Sequence, residues 1–341
     1  MERTRIKSDK LACLRFFGRT AEVEEGVLFP WTDSGFTLRF RGSCLSARLL
    51  GNNTHNPAAR PYFSVFVDGE DRVTFGLEQP EQEVALARDL TFGEHTVTVV
   101  KLSEALQSHA VLAELATDGA LLTPPPSGLS RRIQFIGDSI TCAFGVLAPE
   151  EQSPFSTAEQ DGWQSYAAAL ARALQAEYQI FAISGYAVYK SPFGGSIPAL
   201  YPYVDGAEEC RIPWDYDRFQ PDLTVINLGT NDHAWFCNDC SQHLPEQERH
   251  RLVEEAYHDF LLQLHRAHPY SKFLCTIGML TAFTGGDVER AAARAAAEGI
   301  EAVFVPLPLA GEYRAGHPAL SSHRQAAELL LPAAKKLMNW E

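Results

Sequence analysis

The sequence predicts an α/β protein of two domains, an all-β jelly-roll sandwich in residues 1–128 and a three-layer α/β/α domain with a parallel sheet in residues 129–341. Short stretches that alternate apolar and polar residues fill the first third of the chain, as antiparallel strands do. Three consecutive prolines, Pro124 to Pro126, then interrupt this pattern. Beyond them, apolar runs alternate with longer helical stretches, which favours a parallel sheet covered by helices.

The first domain is predicted to consist of short strands joined by turns. Alternation and β-branched residues predict strands at 36–41, 45–49, 61–67 and 96–100. Asp68 and Gly69 end one of these strands, and this pair favours a tight hairpin. Many short strands at such spacing predict a sandwich or jelly roll.

The second domain begins after the proline-rich segment 122–128, because prolines cannot continue a ladder or a helix interior. Apolar runs predict strands at 133–136, 178–183, 223–228, 272–277 and 302–305. Periodicity and capping residues predict helices at 163–175, at 245–268, at 288–298 after an N-cap at Asp287, and at 321–338. Pro332 predicts a kink or a break in the last helix.

Length and charge restrict the classes of partner. The chain has 341 residues, which suits two domains that each bury a core. Its formal net charge is −14 and it contains no long basic run, so nucleic acid is not expected as a partner. No stretch approaches about 20 apolar residues, so no membrane partner is expected. Neutral sugars suit such a surface better.

The first ten residues contain no apolar segment and no cleavage site of small residues, and the seven cysteines form no evident even framework. These observations predict a cytoplasmic protein. Cys237 and Cys240 have the spacing of a redox or zinc pair, but no second pair accompanies them. We therefore expect reduced loop thiols, no metal and no cofactor.

A serine follows the first predicted strand of the second domain. The run 137–140 reads Gly-Asp-Ser-Ile, and it places Ser139 at the carboxyl end of that strand. Active sites of open α/β sheets lie at this edge, which favours Ser139 as a nucleophile. The alternative is a capping serine in an ordinary strand-to-loop turn.

Two more polar turns follow the next strands. Gly185 follows the second strand, and Asn231 lies in the run 229–232, Gly-Thr-Asn-Asp, after the third. The N–H groups of Ser139 and Gly185 and the Asn231 amide can together form an oxyanion hole. Taken singly, the glycine suits any turn and the asparagine suits an Asx turn.

A late histidine completes the residue types that acyl transfer requires. His317 precedes Pro318 and the last predicted helix. As general base it would take the Ser139 proton and later deliver it to the leaving alcohol. The alternative is a histidine that lies on the surface of a loop.

The runs around Ser139, Gly185, Asn231 and His317 resemble the four blocks of the SGNH (GDSL) hydrolases. The first domain resembles the jelly roll of carbohydrate esterase family 2, at the runs 17–20, 67–69, 93–97 and 101–104. This resemblance implies a serine esterase that removes O-acetyl groups from plant-polysaccharide sugars, such as acetylated xylo- or manno-oligosaccharides. It also implies an acetyl-enzyme intermediate on Ser139.

One departure from the SGNH pattern concerns the acid that orients the histidine. Family members usually carry an aspartate two or three residues before it, where this sequence has Ala315 and Arg314, and Glu312 lies five residues away. Some family 2 members orient the histidine with a backbone carbonyl, and the Gly316 carbonyl is the predicted group here. The sequence thus predicts a Ser-His dyad.

Three residues near these blocks are predicted to bind substrate. Trp235 could stack on a sugar at the mouth of the site, and Tyr186 and Asp232 lie beside the second and third blocks. Two alternatives stay open. A lipase or thioesterase would need an apolar acyl groove, and a non-catalytic glycan-binding protein would not need Ser139.

Overall fold

The computed structural model describes residues 13–70, 72–124, 126–205, 211–237 and 243–341, together with the backbone of residues 2–5. The chain forms two compact units. The first comprises residues 1–128, 156–163 and 204–212, and the second comprises residues 129–155, 164–203 and 213–341. Two short segments within the predicted second domain, 156–163 and 204–212, therefore belong to the first unit.

The first unit contains two antiparallel sheets. Its strands are β1 (Glu2–Arg5), β2 (Leu14–Phe17), β3 (Ala21–Val23), β4 (Gly26–Leu28), β5 (Gly35–Gly42), β6 (Leu45–Gly51), β7 (Tyr62–Val67), β8 (Val73–Gly76), β9 (Glu81–Ala87), β10 (Gly93–Lys101), β11 (Ala110–Thr117) and β12 (Ala120–Leu122). One sheet has the order β3-β4-β11-β6-β9 with β1 on β11, and the other has β12-β5-β10-β7-β8 with β2 on β5. The prediction of an all-β first domain is confirmed.

Alternation along β5 shows why these residues form a sandwich. Phe36, Leu38 and Phe40 are fully buried, whereas Arg41 is exposed. Each buried aromatic or leucine side chain stabilises the fold by roughly 1.5–3 kcal/mol relative to an exposed one. Because the side-chain period of a strand is two, a slip of one residue would bring the arginines into the core.

An imidazolium in β10 connects the turn between β7 and β8 with the loop that precedes β10. His95 Nδ1 lies 2.7 Å from Asp68 Oδ2, and its Nε2 lies 2.8 Å from the Thr91 carbonyl. Both ring nitrogens face acceptors, so both must carry protons. The hydrogen bond to Asp68, followed by that to the Thr91 carbonyl, raises the pKa of His95 above its usual value.

This raised pKa predicts a pH-dependent contribution to stability. It is fully present below the unfolded-state pKa of His95, about 6.5, and is lost as the pH rises through the higher folded-state pKa. We expect the difference in unfolding temperature between the native protein and His95→Gln to shrink from about pH 5.5 to about pH 9. Thermal melts of both proteins across this range measure it, and a difference that does not vary with pH would refute the imidazolium.

The second unit contains one five-stranded parallel sheet of order β14-β13-β15-β16-β17. Its strands are β13 (Arg131–Gly137), β14 (Ala176–Ala182), β15 (Leu223–Asn227), β16 (Lys272–Thr276) and β17 (Ala302–Phe304). Its helices are α1 (Tyr166–Ala173), α2 (Ile197–Leu200), α3 (Thr230–Phe236), α4 (Glu246–Ala267), α5 (Gly285–Ala297) and α6 (Leu320–Met338). The predicted α/β class of this domain is confirmed.

Three helix details differ from the prediction. Helix α1 begins at Tyr166 because the Ser165 hydroxyl accepts a hydrogen bond from Ala168 N–H and caps it. Asp287 lies inside the first turn of α5, where it binds His250, and is not the N-cap. Helix α6 continues through Pro332, since that residue and Glu328, whose carbonyl the missing N–H would have bonded, are both exposed to water.

Register along the sheet determines where the predicted site residues meet. Gly137, the last residue of β13, pairs with Ala182 of β14 and with Asn227 of β15. The three strands therefore end level with one another, and the loops that follow emerge at one edge. In the part of the chain that the structure describes, no helix has the length and apolarity needed to cross a membrane.

Candidate active site

Ser139 lies in a tight turn directly after β13, and 6% of its surface is exposed. The turn is closed by a hydrogen bond of 3.0 Å from the Phe144 N–H to the Ser139 carbonyl. A Cβ at Gly137 would lie 2.0 Å from Thr141 Oγ1, so a larger residue would push the turn away from the sheet. The glycine at residue 137 therefore lets the turn that carries Ser139 lie close against the end of β13.

His317 lies on a two-stranded hairpin, β18 (Tyr313–Arg314) and β19 (His317–Pro318). The two residues between these strands, Ala315 and Gly316, have φ values of 46° and 71°. Positive φ at both central residues is typical of a type I′ turn, which matches the twist of the strands it joins. This tight turn fixes the direction in which the His317 side chain projects from the backbone.

The hairpin turn is held by the segment that follows Ser139. The Ala315 N–H donates to the Glu150 carbonyl at 3.0 Å, and the Gly316 N–H donates to the Glu151 carbonyl at 2.8 Å. A Cβ at Gly145 would lie 2.7 Å from the Ala315 Cβ, so the two backbones approach closely here. Main-chain contacts thus position the histidine relative to the serine.

The two side chains are in direct hydrogen-bond contact. Ser139 Oγ lies 2.9 Å from His317 Nε2, although 178 residues separate them in the sequence. On its other side, His317 Nδ1 lies 3.2 Å from the Ala315 carbonyl oxygen. Because a carbonyl can only accept, the proton is on Nδ1 and the Nε2 lone pair faces the serine hydroxyl. This is the tautomer that a general base requires.

The predicted role of Gly316 is wrong, since the carbonyl that orients the ring is that of Ala315. In this turn the main chain rotates through the left-handed region between residues 315 and 317, and this brings the earlier carbonyl to Nδ1. Glu312 is not available as an orienting acid. Its carboxylate binds the Arg314 guanidinium and accepts a hydrogen bond of 3.2 Å from the Ser321 hydroxyl.

Burial sets the protonation of the histidine. Its ring packs against Phe144 at a centroid distance of 4.3 Å, and Phe144 stacks on Phe155 at 3.7 Å. Desolvation lowers the pKa of His317 below its usual value, and the hydrogen bond to the Ala315 carbonyl opposes this only in part. His317 is therefore neutral at pH 7.

Two backbone N–H groups next to the dyad are free to receive an anion. Within the described part of the chain, neither the Ser139 N–H nor the Gly185 N–H has a protein acceptor. Gly185 has φ of 78°, and a Cβ there would lie 3.0 Å from the Phe193 Cβ. Glycine is thus required at residue 185 by its conformation and by its neighbour.

Asn231 is in the first turn of α3, beside the same strand ends. Its Nδ2 donates to the Tyr186 carbonyl at 2.8 Å and also lies 3.4 Å from Asp138 Oδ2. The side chain is 7% exposed. The structure thus brings together all four residues of the predicted dyad and oxyanion hole, namely Ser139, His317, Gly185 and Asn231.

The prediction that Asp232 binds substrate is wrong. Its carboxylate is fully buried and accepts hydrogen bonds from three consecutive N–H groups, those of Val188, Tyr189 and Lys190, at 2.8–3.2 Å. Burial raises the pKa of Asp232 to about 6, against the effect of these hydrogen bonds. Asp232 therefore holds the loop after Gly185 in place.

The prediction that Trp235 stacks on a sugar is also wrong. This side chain is 6% exposed and packs edge-on against Tyr189, with centroids 5.1 Å apart. Tyr186 is half-buried, and its ring covers Gly194 and Gly195. Its main chain contributes the carbonyl that Asn231 binds, while a substrate contact of its ring stays a prediction.

Sequence reasoning missed an exposed aromatic side chain at the site. Phe193 is 73% exposed although it adjoins Gly185. Its sequence context, an aromatic residue followed by Gly194 and Gly195 in the loop after β14, was the available signal. Large exposed apolar side chains beside a site offer a surface on which the apolar face of a sugar can pack.

Across the described ranges, no three histidine, cysteine, aspartate or glutamate side chains are grouped so as to hold a metal ion. Cys237 is exposed, and Cys240 lies outside the described residues.

Comparison with known proteins assigns the family. Residues 135–331 match the model of the GDSL-like lipase/acylhydrolase family. The chain belongs to this family. Residues 16–126 of this GDSL-like acylhydrolase match a second model, described as carbohydrate esterase 2 N-terminal. The predicted resemblance to family 2 carbohydrate esterases is confirmed, and with it the predicted class of carboxylic ester hydrolase.

Two curated relatives of this acylhydrolase are similar over nearly its whole length. Cellulase/esterase CelE of Acetivibrio thermocellus is 27% identical over 328 residues, which are 92% of this chain and 38% of that protein. The chain thus spans well under half of CelE. An acetylxylan esterase/glucomannan deacetylase of Cellvibrio japonicus is 25% identical over 341 residues, 96% of this chain and 89% of that protein.

Solved structures show the same two-domain fold. A family two carbohydrate esterase from Clostridium thermocellum, solved in complex with cellohexaose, matches with a TM-score of 0.84 and 26% identity, over 96% of this chain and all of that one. The acetyl xylan esterase Est2A from the rumen bacterium Butyrivibrio proteoclasticus matches with a TM-score of 0.88 at 21% identity, over 100% of both chains. The second likeness shows the fold alone.

Proposed function

We propose that this acylhydrolase is a serine esterase that removes O-acetyl groups from acetylated xylo- or manno-oligosaccharides. The observation that carries the proposal is the 2.9 Å contact of Ser139 Oγ with a neutral, correctly oriented His317. The sugar and acyl classes rest on the name of the Cellvibrio japonicus relative, an acetylxylan esterase/glucomannan deacetylase. The exposed Phe193 and the net charge of −14 suit an uncharged glycan.

The first half of the reaction forms an acetyl-enzyme. Ser139 Oγ attacks the acetyl carbonyl while His317 Nε2 takes its proton. The negative charge that develops on the carbonyl oxygen is bound by the N–H groups of Ser139 and Gly185 and by the Asn231 amide. The imidazolium that forms keeps its Nδ1–H on the Ala315 carbonyl, and its Nε2–H then protonates the departing sugar oxygen, which leaves as a hydroxyl.

In the second half, water replaces the sugar. His317 Nε2 removes a proton from the water as it attacks the acetyl-enzyme, and the same oxyanion donors hold the second tetrahedral intermediate. Collapse of that intermediate returns the proton to Ser139 Oγ and releases acetate. In each half His317 acts first as base and then as acid, so one histidine serves all the proton transfers.

Acetate release from acetylated xylo- and manno-oligosaccharides tests this function. Turnover with a preference for one glycan would support the proposal and identify the sugar. Glycan binding without acetate release would instead favour the non-catalytic alternative. A series of 4-nitrophenyl esters from two to about ten acyl carbons tests the lipase alternative, since a rate that rises with chain length would contradict an acetyl-specific site.

The lowered pKa of His317 predicts an unusually acidic working range. The base must be neutral, so activity is high above its pKa and falls as the pH drops through it. We expect the acidic limb of kcat/KM to have its midpoint below about 6.5, the ordinary histidine value. A pH–rate profile with 4-nitrophenyl acetate measures it, and a midpoint above that value would require a carboxylate partner for His317.

A further inference from the structure

The orientation of the Asn231 amide has a physical cause in its two neighbours. Its NH₂ group faces the Tyr186 carbonyl at 2.8 Å and Asp138 Oδ2 at 3.4 Å. The Tyr186 oxygen can only accept, and so can an ionised carboxylate. A flipped amide would place its own oxygen against both acceptors, so only the NH₂ group can face them.

The two contacts of this NH₂ group differ in strength. The 2.8 Å bond to Tyr186 is of normal length, whereas 3.4 Å exceeds the usual range of about 2.7–3.2 Å for N–H···O bonds. The first N–H is thus engaged in a full hydrogen bond. The second is directed by Asp138 but is held weakly, so a charged oxygen at a shorter distance can take it over.

Asp138 is well placed to direct this second N–H. It is fully buried, and its other carboxylate oxygen accepts the Ile140 N–H at 3.0 Å in the turn that carries Ser139. One carboxylate therefore connects two parts of the oxyanion hole, the serine turn after β13 and the asparagine of α3.

We propose that Asp138 is a positioning residue that acts through Asn231. Its carboxylate fixes the amide so that the second N–H is available to the developing oxyanion and the amide oxygen is turned away. This inference rests on the proposed acyl transfer at Ser139, and it adds a role for a side chain that does not touch the substrate.

The test is a double-mutant cycle with 4-nitrophenyl acetate, built from Asp138→Asn and Asn231→Ala. An asparagine at residue 138 can donate as well as accept, so only the Tyr186 carbonyl would still oppose the flipped amide, and the second N–H would lose its directing charge. We expect Asp138→Asn to lower kcat by about 10- to 100-fold with little change in KM, since half or more of one donor's usual effect of about 10²–10³ would be lost. In the Asn231→Ala background the same change should have no further effect.

Equal losses in both backgrounds, or no loss in either, would overturn the proposal. Asp138→Ser guards against a variant that fails to fold, since serine can still accept the Ile140 N–H but is too short to reach Asn231. It should repeat the result of Asp138→Asn. Asp222→Asn is the matched control, because Asp222 likewise accepts a main-chain N–H, that of Arg132 at 2.8 Å, at the opposite end of β13.

The small ester keeps this test independent of the natural substrate. If acetylated glycans are not turned over but the cycle is non-additive, the deacetylase proposal fails and the role of Asp138 stands. If Ser139→Ala hydrolyses the ester as fast as the native protein, the site assignment fails and the role of Asp138 with it.

Discussion

Replacement of Ser139 by alanine is expected to lower kcat for acetate release by at least about 10⁴-fold, equivalent to about 5.4 kcal/mol of transition-state stabilisation. The hydroxyl is the only group removed, and its oxygen is the proposed attacking atom, 2.9 Å from the base. Residual catalysis would come from the oxyanion donors alone. Initial rates with an acetylated oligosaccharide and with 4-nitrophenyl acetate measure the loss.

Ser321→Ala is the matched control for this prediction. That serine is exposed, and among the described residues its hydroxyl bonds only the Glu312 carboxylate, so its removal should leave kcat within about twofold of the native value. Unfolding temperatures of both variants should stay close to that of the native protein. An active Ser139→Ala protein would show that the chemistry lies elsewhere.

Replacement of His317 by asparagine is expected to cost a similar factor in kcat. The asparagine amide can still donate to the Ala315 carbonyl, so the hairpin turn keeps its contact, but the amide offers Ser139 no basic nitrogen. Burst kinetics with 4-nitrophenyl acetate should show slow acylation as well as slow deacylation, because one base serves both steps.

The double variant Ser139→Ala/His317→Asn separates a dyad from two independent residues. Groups that act as a unit are strongly non-additive, so the double variant should be no slower than the slower single variant. If the fold loss in kcat of the double variant equals the product of the two single losses, the residues act independently. The pH–rate profile gives an additional test. Its acidic limb should be absent once His317 is replaced, and an acidic limb that persists would assign the base to another group.

Much of the catalytic arrangement could be predicted because three of its residues follow the carboxyl ends of neighbouring parallel strands. Ser139, Gly185 and Asn231 each come directly after a strand of the parallel sheet, and such ends converge whatever the intervening sequence. His317 was predictable from its chemistry and its place before the last helix. None of these predictions required knowledge of long-range packing.

Most of the wrong predictions share one physical source, which is contact between segments far apart in the sequence. Burial of Asp232 and Trp235 depends on a loop some 40 residues earlier, which covers that face of α3. A helix of seven residues has too few turns for periodicity to show which face is covered. The segment 156–163 was misassigned for the same reason, since Gly162 N–H bonds the Leu102 carbonyl of the sandwich unit.

The wrong prediction that Gly316, and not Ala315, supplies the orienting carbonyl has another cause. Both residues precede the histidine closely, and only the dihedral angles of the turn decide which oxygen reaches Nδ1. Neighbouring carbonyls of a turn point in different directions, and a change of one residue in turn geometry exchanges them. Residue types alone do not specify that choice.

Because a main-chain atom orients His317, few missense changes can remove the orienting group. In an enzyme with an orienting aspartate, one codon change can delete that group. Here every substitution at residue 315 retains the carbonyl, so only changes that alter the path of the backbone can remove it. Gly316, with its left-handed conformation, and Gly145, where a side chain would collide with Ala315, are the positions where inactivating missense changes should concentrate.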